Sequence, residues 1–177
     1  MAWSAPKTFA YKETLSSSDM NTYVSDDLTY LYDLISNNDS YCAMAYSAVA
    51  QTNLTDNLYT KVVLGTEDYD PNSNFATSTY TVPATGKYTA LGQVYFKNCV
   101  ANKRYVAAIY VDGTVYITNH GNNGGYAGYF SVPVSDILDL TAGQTVELYA
   151  RSNSGDNTVD IEIGRNTFLA VKKWLGV

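Results

Sequence analysis

Ile109-Tyr110-Val111-Asp112-Gly113-Thr114-Val115-Tyr116-Ile117 runs β-branched and aromatic residues up to an Asp-Gly pair and away from it again. Asp-Gly tolerates the positive φ values that a type I′ turn needs at both central positions, so the stretch predicts two antiparallel strands joined by a tight hairpin. Similar patterns lie on either side. Thr79 to Val82 and Lys87 to Phe96 flank a turn at Ala84-Thr85-Gly86, and Val146-Glu147-Leu148 follows the turn Thr141-Ala142-Gly143-Gln144. Val159, Ile161 and Ile163 alternate with Asp160 and Glu162, one face buried and one wet. With Lys61 to Leu64 at the start and Thr167 to Trp174 at the end, about eight strands are expected, which suits an all-β sandwich or jelly roll.

Upstream of the hairpin the strand Tyr105-Val106-Ala107-Ala108-Ile109-Tyr110-Val111 is apolar on both faces. An antiparallel sandwich usually leaves one face of each sheet in water, so a neighbouring subunit is expected to cover this strand, with Tyr105, Ala107 and Ile109 at a trimer interface. A tyrosine-lined exposed face is the alternative.

The first 40 residues read differently. Residues 1–16 form an extended arm, broken at Pro6 and dotted with Trp3, Phe9, Tyr11 and Leu15. Residues 17–40 predict a helix, with Ser17 or Ser18 as N-cap, Asp19 in the first turn and Asn37-Asn38-Asp39-Ser40 as the stop. Asn21, Val24, Leu28, Leu31 and Ile35 fall on one seam. So short a helix is marginal alone in water, so the seam is expected to pack in a three-helix contact between copies or against its own β domain. Residues 41–177 are then the β domain.

Composition excludes several classes. Net charge is −6 and the Lys and Arg residues cluster only as Lys103-Arg104 and Lys172-Lys173, so no phosphate-tracking stripe exists and nucleic acid is not an expected partner. No apolar run is long enough to span a bilayer, and Met1-Ala2-Trp3-Ser4-Ala5-Pro6 has neither the basic start nor the apolar run of a secretory signal. Cys42 and Cys99 lack histidine company and read as two small buried hydrophobes, with a pairing left open.

Chemistry-bearing groups are sparse. His120, the only histidine, sits in His120-Gly121-Asn122-Asn123-Gly124-Gly125, and no Gly-x-Ser-x-Gly elbow is present. Asp26-Asp27, Glu67-Asp68 with Asp70, and Asp156 with Asp160 and Glu162 lack an apolar pocket signature, so they read as solvated charge; no catalytic residue and no enzyme is expected. Glu67, Asp68, Asp70, Asn72 and Asn74 could offer oxygens to calcium, but the spacing is not an EF-hand and a plain polar turn is favoured, so neither cofactor nor metal is assigned. Tyrosine is unusually common, 17 in 177 residues. Tyrosine supplies contact area and a hydroxyl at small entropic cost, so Tyr116, Tyr126 and Tyr129, with His120, Asn122 and Asn123 among the glycines, form the expected ligand-binding surface. Packing of these tyrosines between sheets or subunits is the competing reading.

The order of segments resembles a C1q/TNF-like domain. Thr60-Lys61-Val62 is followed by the Tyr69-Asp70-Pro71 to Phe75 loop and by Tyr80-Thr81-Val82-Pro83-Ala84-Thr85-Gly86-Lys87-Tyr88. The hairpin at Val111-Asp112-Gly113 comes next, then Ile137-Leu138-Asp139-Leu140 with Thr141 to Leu148, and last Thr167-Phe168-Leu169. The resemblance implies a jelly roll that assembles as a compact homotrimer and recognises partners through loops and flanks. Gln144 stands where the family often has Asp, Phe168 lacks the usual following glycine, and no collagen-like stalk is present. Pro6-Lys7-Thr8-Phe9, Glu13-Thr14-Leu15, Asp19-Met20-Asn21 and Asp26-Asp27-Leu28 resemble the opening segment of tailed-bacteriophage structural proteins. Together the two resemblances imply a virion protein made in the host cytoplasm. Its residues 1–35 would hold other virion proteins, and its knob would bind a host glycan or protein. A capsid decoration or fibre protein without receptor binding is the alternative.

Overall fold

Buried and exposed residues alternate along most of the chain after residue 40, and that period of two builds two sheets packed face to face. The computed structural model describes residues 41–174 together with Ser16, Val24, Ser25, Leu28, Thr29, Leu31 and Tyr32. Ser40–Val177 forms a compact unit of its own.

Twelve strands are present among the described residues: β1 (Cys42–Ser47), β2 (Thr60–Lys61), β3 (Thr66–Tyr69), β4 (Phe75–Ala76), β5 (Thr79–Thr81), β6 (Gly86–Cys99), β7 (Arg104–Val111), β8 (Thr114–Asn122), β9 (Gly128–Leu140), β10 (Thr145–Asn153), β11 (Asp160–Ile161) and β12 (Gly164–Lys173). Sheet I runs β3-β1-β12-β6-β9, with β11 beside the far end of the long β6. Sheet II runs β5-β10-β7-β8, with β4 on β5 and β2 on β10. All pairings are antiparallel.

The Asp-Gly hairpin forms as its sequence requires. Val111 pairs with Thr114, and Asp112 and Gly113 take φ values of 49° and 72°. The Asp112 carboxylate also accepts bonds from the Thr145 N–H (2.8 Å) and Gln144 Nε2 (2.8 Å), tying this turn to the one before β10. Gln144, the departure from the family pattern, thus has a local partner here.

Large side chains from both sheets fill the core, among them Tyr80, Tyr88, Tyr105, Phe96, Ile109, Leu138, Leu148 and Leu169. Each buried phenol has a partner, as a buried polar tip must. Tyr80 donates to the Tyr41 carbonyl (3.1 Å) and Tyr88 to the Ala84 carbonyl (2.6 Å). Tyr105 donates to the Val100 carbonyl (3.1 Å) and accepts from the Val100 N–H (2.7 Å).

These positions correct the expected role of β7. Tyr105, Ala107 and Ile109 are 0% exposed and point between the sheets, so they are core and not a subunit interface. Their outward neighbours Val106 and Ala108 are buried too, because Arg151 and Tyr149 stand beside them on β10. Further along, Val159 and Ile161 are buried as expected whereas Ile163 is exposed, since the strand stops at Ile161.

Candidate functional site

The six sequence-nominated ligand residues fall in three places. His120 and Asn122 point outward from β8, opposite Val106 and Arg104, and exposed Tyr116 occupies the register shift near the start of that strand. Tyr126 is 82% exposed at the tip of the β8–β9 turn. Tyr129 lies on β9, in the other sheet, stacked on Tyr95 at 5.4 Å. Asn123 is buried and holds the turn: its Nδ2 donates to the carbonyls of Val100 (2.8 Å) and Tyr126 (2.6 Å), and its Oδ1 accepts from the Lys103 N–H (3.0 Å). That amide is spent on the fold.

The outer face of sheet II carries a cluster the sequence reading missed. Tyr110 and Tyr149 stack at 3.8 Å, Tyr59 meets Tyr110 edge-on at 5.8 Å, and the Arg151 guanidinium lies 5.2 Å from the Tyr59 ring centre. Burial raises the titration of Tyr110 and Tyr149 above the ordinary phenol range. Glu147 closes one end through Lys61 (2.7 Å) and Thr79 (3.0 Å). The available signal was the period of two in β10, which sends Glu147, Tyr149, Arg151 and Asn153 to one side.

The outer face of sheet I is built from shorter and less polar groups. Its rows read Tyr46-Phe168-Gln93-Pro133, Met44-Ala170-Leu91-Ser135 and Cys42-Lys172-Thr89-Ile137 across β1, β12, β6 and β9. Lys172 is the only charge in those rows, and Leu91 and Ile137 are each 47% exposed. Trp174 extends the face by donating from Nε1 to Thr89 Oγ1 (2.6 Å). Ion pairs lie at its two ends, Lys87 with Asp139 (2.7 Å) and Lys97 with Glu162 (3.1 Å), and Arg165, paired with Asp68, lies 5.0 Å over the Tyr46 ring.

Where the two sheets meet along β8 and β9, Asn119 Nδ2 donates to the Pro133 carbonyl (2.7 Å). A cleft of about 220 Å³ lies there, lined by Ile117, Thr118, Asn119, Pro133, Val134 and Ser135. Deeper in, a Cβ on Gly121 would sit 2.7 Å from the Phe130 ring, so the bare backbone lets that ring close the gap.

Asp26 and Asp27 lie outside the described residues, and the acidic clusters of the β domain have local partners. Asp68 pairs with both terminal nitrogens of Arg165, and Asp70 accepts the N–H groups of Asn74 (3.0 Å) and Phe75 (2.7 Å). Asp56 accepts the N–H of Ser154 (2.8 Å), and Asp160 those of Asn53 (2.8 Å) and Asn98 Nδ2 (2.8 Å). Among the described residues no three His, Cys, Asp or Glu side chains gather to hold a metal. Shifted groups move away from neutrality: burial pushes the Cys99 thiol up to about 11 and the Tyr80, Tyr88 and Tyr105 phenols upward, while bonds from Thr145 and Gln144 hold Asp112 down. Such groups suit structure and binding and not proton transfer near pH 7. Cys42 and Cys99 both remain thiols.

In the N-terminal unit Leu28, Thr29, Leu31 and Tyr32 are helical, and Thr29 Oγ1 donates to the Ser25 carbonyl (2.8 Å). The seam residues Val24, Leu28 and Leu31 are exposed. Asn21 and Ile35 lie outside the described residues.

Solved structures with this strand arrangement are numerous. The Eiger TNF of S. frugiperda superposes with a TM-score of 0.57 at 11% identity, covering 77% of this chain and 93% of that one. The fold is a TNF/C1q-like jelly roll. Murine APRIL matches with a TM-score of 0.55 at 16% identity over 75% of this chain and 98% of its own. The globular domain of zebrafish complement 1qA protein matches with 0.53 at 11% identity over 77% and 97%. No family model matches the sequence, and no curated protein matches it. The jelly roll is therefore carried here by a sequence far from those that share it.

Proposed function

We propose that the chain forms a homotrimeric, non-enzymatic knob on the surface of a tailed-bacteriophage particle. Residues 1–35 attach it to other virion proteins, and its outward surfaces engage a glycan or protein of the host. The observation that carries the assembly is the outer face of sheet I, three rows over four strands with one charged residue in the rows and with ion pairs around them, Lys87 with Asp139, Lys97 with Glu162, and Arg165 with Asp68 over Tyr46. An apolar centre with a polar rim is the make-up of a protein interface, and a closed rotation of three copies buries it on every subunit. Exposed Val24, Leu28 and Leu31 supply a second, helical seam for the same assembly. The virion placement is supported by the N-terminal resemblance quoted above. Light scattering on the full chain should give about 58 kDa, three times 19.4 kDa. Leu91→Arg against Leu28→Lys with Leu31→Lys then separates the two seams: a monomer from the first alone assigns assembly to the sandwich. A wild-type mass of 19.4 kDa sinks the trimer.

A decoration protein without a receptor is the second reading, favoured at one point. Tyr95 and Tyr129 stack on the face that trimerisation would cover, which makes Tyr129 an assembly residue and removes it from the ligand surface. Addition of purified protein to host cells decides between the readings: a host-binding knob slows particle adsorption and a decoration protein leaves it unchanged.

A further inference from the structure

Among the described residues five of the nine cations have an acidic neighbour, and Lys172 and Lys173 belong to β12 in the other sheet. Lys61, Lys87, Lys97 and Arg165 each pair with a carboxylate, and Lys103 faces Asp156. Arg104 and Arg151 have no carboxylate partner among the described residues, and they share one surface, the outer face of sheet II. On that face buried Val106 lies between Arg151 of β10 and His120 of β8, and Arg104 is the next outward residue along β7, flanked by Asn153 and Asn122. Opposed residues on neighbouring strands have Cβ atoms ~5 Å apart, so Arg151, His120, Arg104, Asn153 and Asn122 rise from adjacent positions around Val106.

Arg151 joins this polar half to the aromatic half. Its guanidinium packs on Tyr59, which meets the stacked pair Tyr110 and Tyr149, yet its Nε is buried without a hydrogen-bond partner. A buried donor left unmade is costly, and a guanidinium fork is shaped for a planar oxyanion such as a carboxylate. Partly buried tyrosine rings beside amides and hydroxyls suit a sugar ring, which has an apolar face and an edge of hydroxyls.

We propose that the outer face of sheet II binds a saccharide bearing a carboxylate, with Arg104 and Arg151 holding the anion and the tyrosine cluster packing against the adjoining sugar. The proposal rests on the host-binding reading and gives it a ligand class and a location separate from the exposed turn at Tyr126. Nucleic acid fits this surface less well. A phosphate backbone needs cations repeated along its track, whereas two guanidiniums on a chain of net charge −6 serve one anionic group flanked by neutral sugars. The site also lies on the opposite side of the sandwich from the face assigned to trimer contacts, so assembly leaves it open.

Calorimetric titration of the full chain tests this, with a hyaluronan tetrasaccharide and a sialylated trisaccharide as acidic probes. A carboxyl-reduced tetrasaccharide and an octauridylate serve as comparisons. At least one acidic sugar should bind. Reduction of its carboxyl group, or the corresponding neutral trisaccharide, should weaken binding about tenfold or more. Arg104→Gln and, separately, Arg151→Lys, which keeps the stem against Tyr59, should each lower affinity severalfold while circular dichroism and trimer mass stay at wild type. Equal binding of acidic and neutral sugars, wild-type affinity in both variants, preference for octauridylate, or binding of neither acidic probe each overturns the site. Inhibition of particle adsorption, scored in parallel on the same variants, reports on the knob itself: inhibition retained alongside any of those results leaves the host-binding reading standing, and inhibition absent from wild type breaks it.

Discussion

Both outer faces of the sandwich obey the same alternation, yet they finish differently. On sheet II the outward residues of β10 are long, and Tyr149 and Arg151 cover Ala108 and Val106 so that the chain roofs its own apolar strand. On sheet I the middle outward row is Met44, Ala170, Leu91 and Ser135, with Ala170 and Ser135 too short to shield Leu91, and Leu91 and the neighbouring Ile137 stay half open. The difference lies in the length of the neighbours and not in the hydrophobicity of any one strand. A strand apolar on both faces is therefore a poor marker of a subunit contact.

The largest effect that would sharpen this contrast is loss of assembly. Leu91→Arg or Ile137→Arg should drop the mass to 19.4 kDa, while Tyr149→Ala on sheet II should leave the trimer intact. Next comes the closure of the sandwich: Gly121→Val drives side-chain atoms into the Phe130 ring and should destabilise by about 1–3 kcal/mol, read from the denaturant midpoint. Tyr105→Phe should cost a smaller amount, about 1 kcal/mol, because it removes the partner of the partly buried Val100 N–H.

Alkali should weaken the fold through its buried acids. The Cys99 thiol and the core phenols ionise at higher pH in the folded chain than in the unfolded one, so the unfolded state loses protons first and stability falls as pH rises. For Cys99 the contribution is whole below its ordinary value of 9.0 and is lost as pH climbs through about 11. Thermal unfolding followed between pH 8 and 11 should show the decline, and a flat profile would break the assignment. The smallest effect sits at the hairpin. Asp112 is held low by Thr145 and Gln144, so its contribution is present above the ordinary aspartate value of 3.8 and fades as pH falls below it. Asp112→Asn should remove that acid-side slope and, with it, the small contribution at neutrality, read from the denaturant midpoint at pH 7 and pH 3.

Much of sheet II was legible because its turns have strict chemistry. Asp112-Gly113 joins the paired strands β7 and β8, and Ala84-Thr85-Gly86 and Thr141 to Gln144 carry the chain from one sheet to the other, out of β5 and into β10. Sheet I was harder to read. β1 is Cys-Ala-Met-Ala-Tyr-Ser, rich in residues that favour helices, and it is a strand because β12 and β3 pair with it on both sides. β9 contains Ser131, Pro133 and Ser135 at outward positions, so its apolar signal is thin until Ile137. Asn119 to Asn122 has turn composition but completes β8, and Asn123 spends its side chain inside the turn. The guanidinium site was invisible for a simpler reason: Arg104, His120 and Arg151 are far apart in sequence and meet only through the registers of three strands.

The first and last strands of the sandwich are neighbours, with Cys42 paired to Lys172 and the Lys173 N–H donating to the Tyr41 carbonyl (3.1 Å). The β domain is thus almost a closed loop, and a few added residues could join its ends. Reopened at Gly124-Gly125, in the exposed turn between β8 and β9, the same circuit would begin and end at the opposite pole, so a cargo fused there would travel at the tip of the domain instead of at its root.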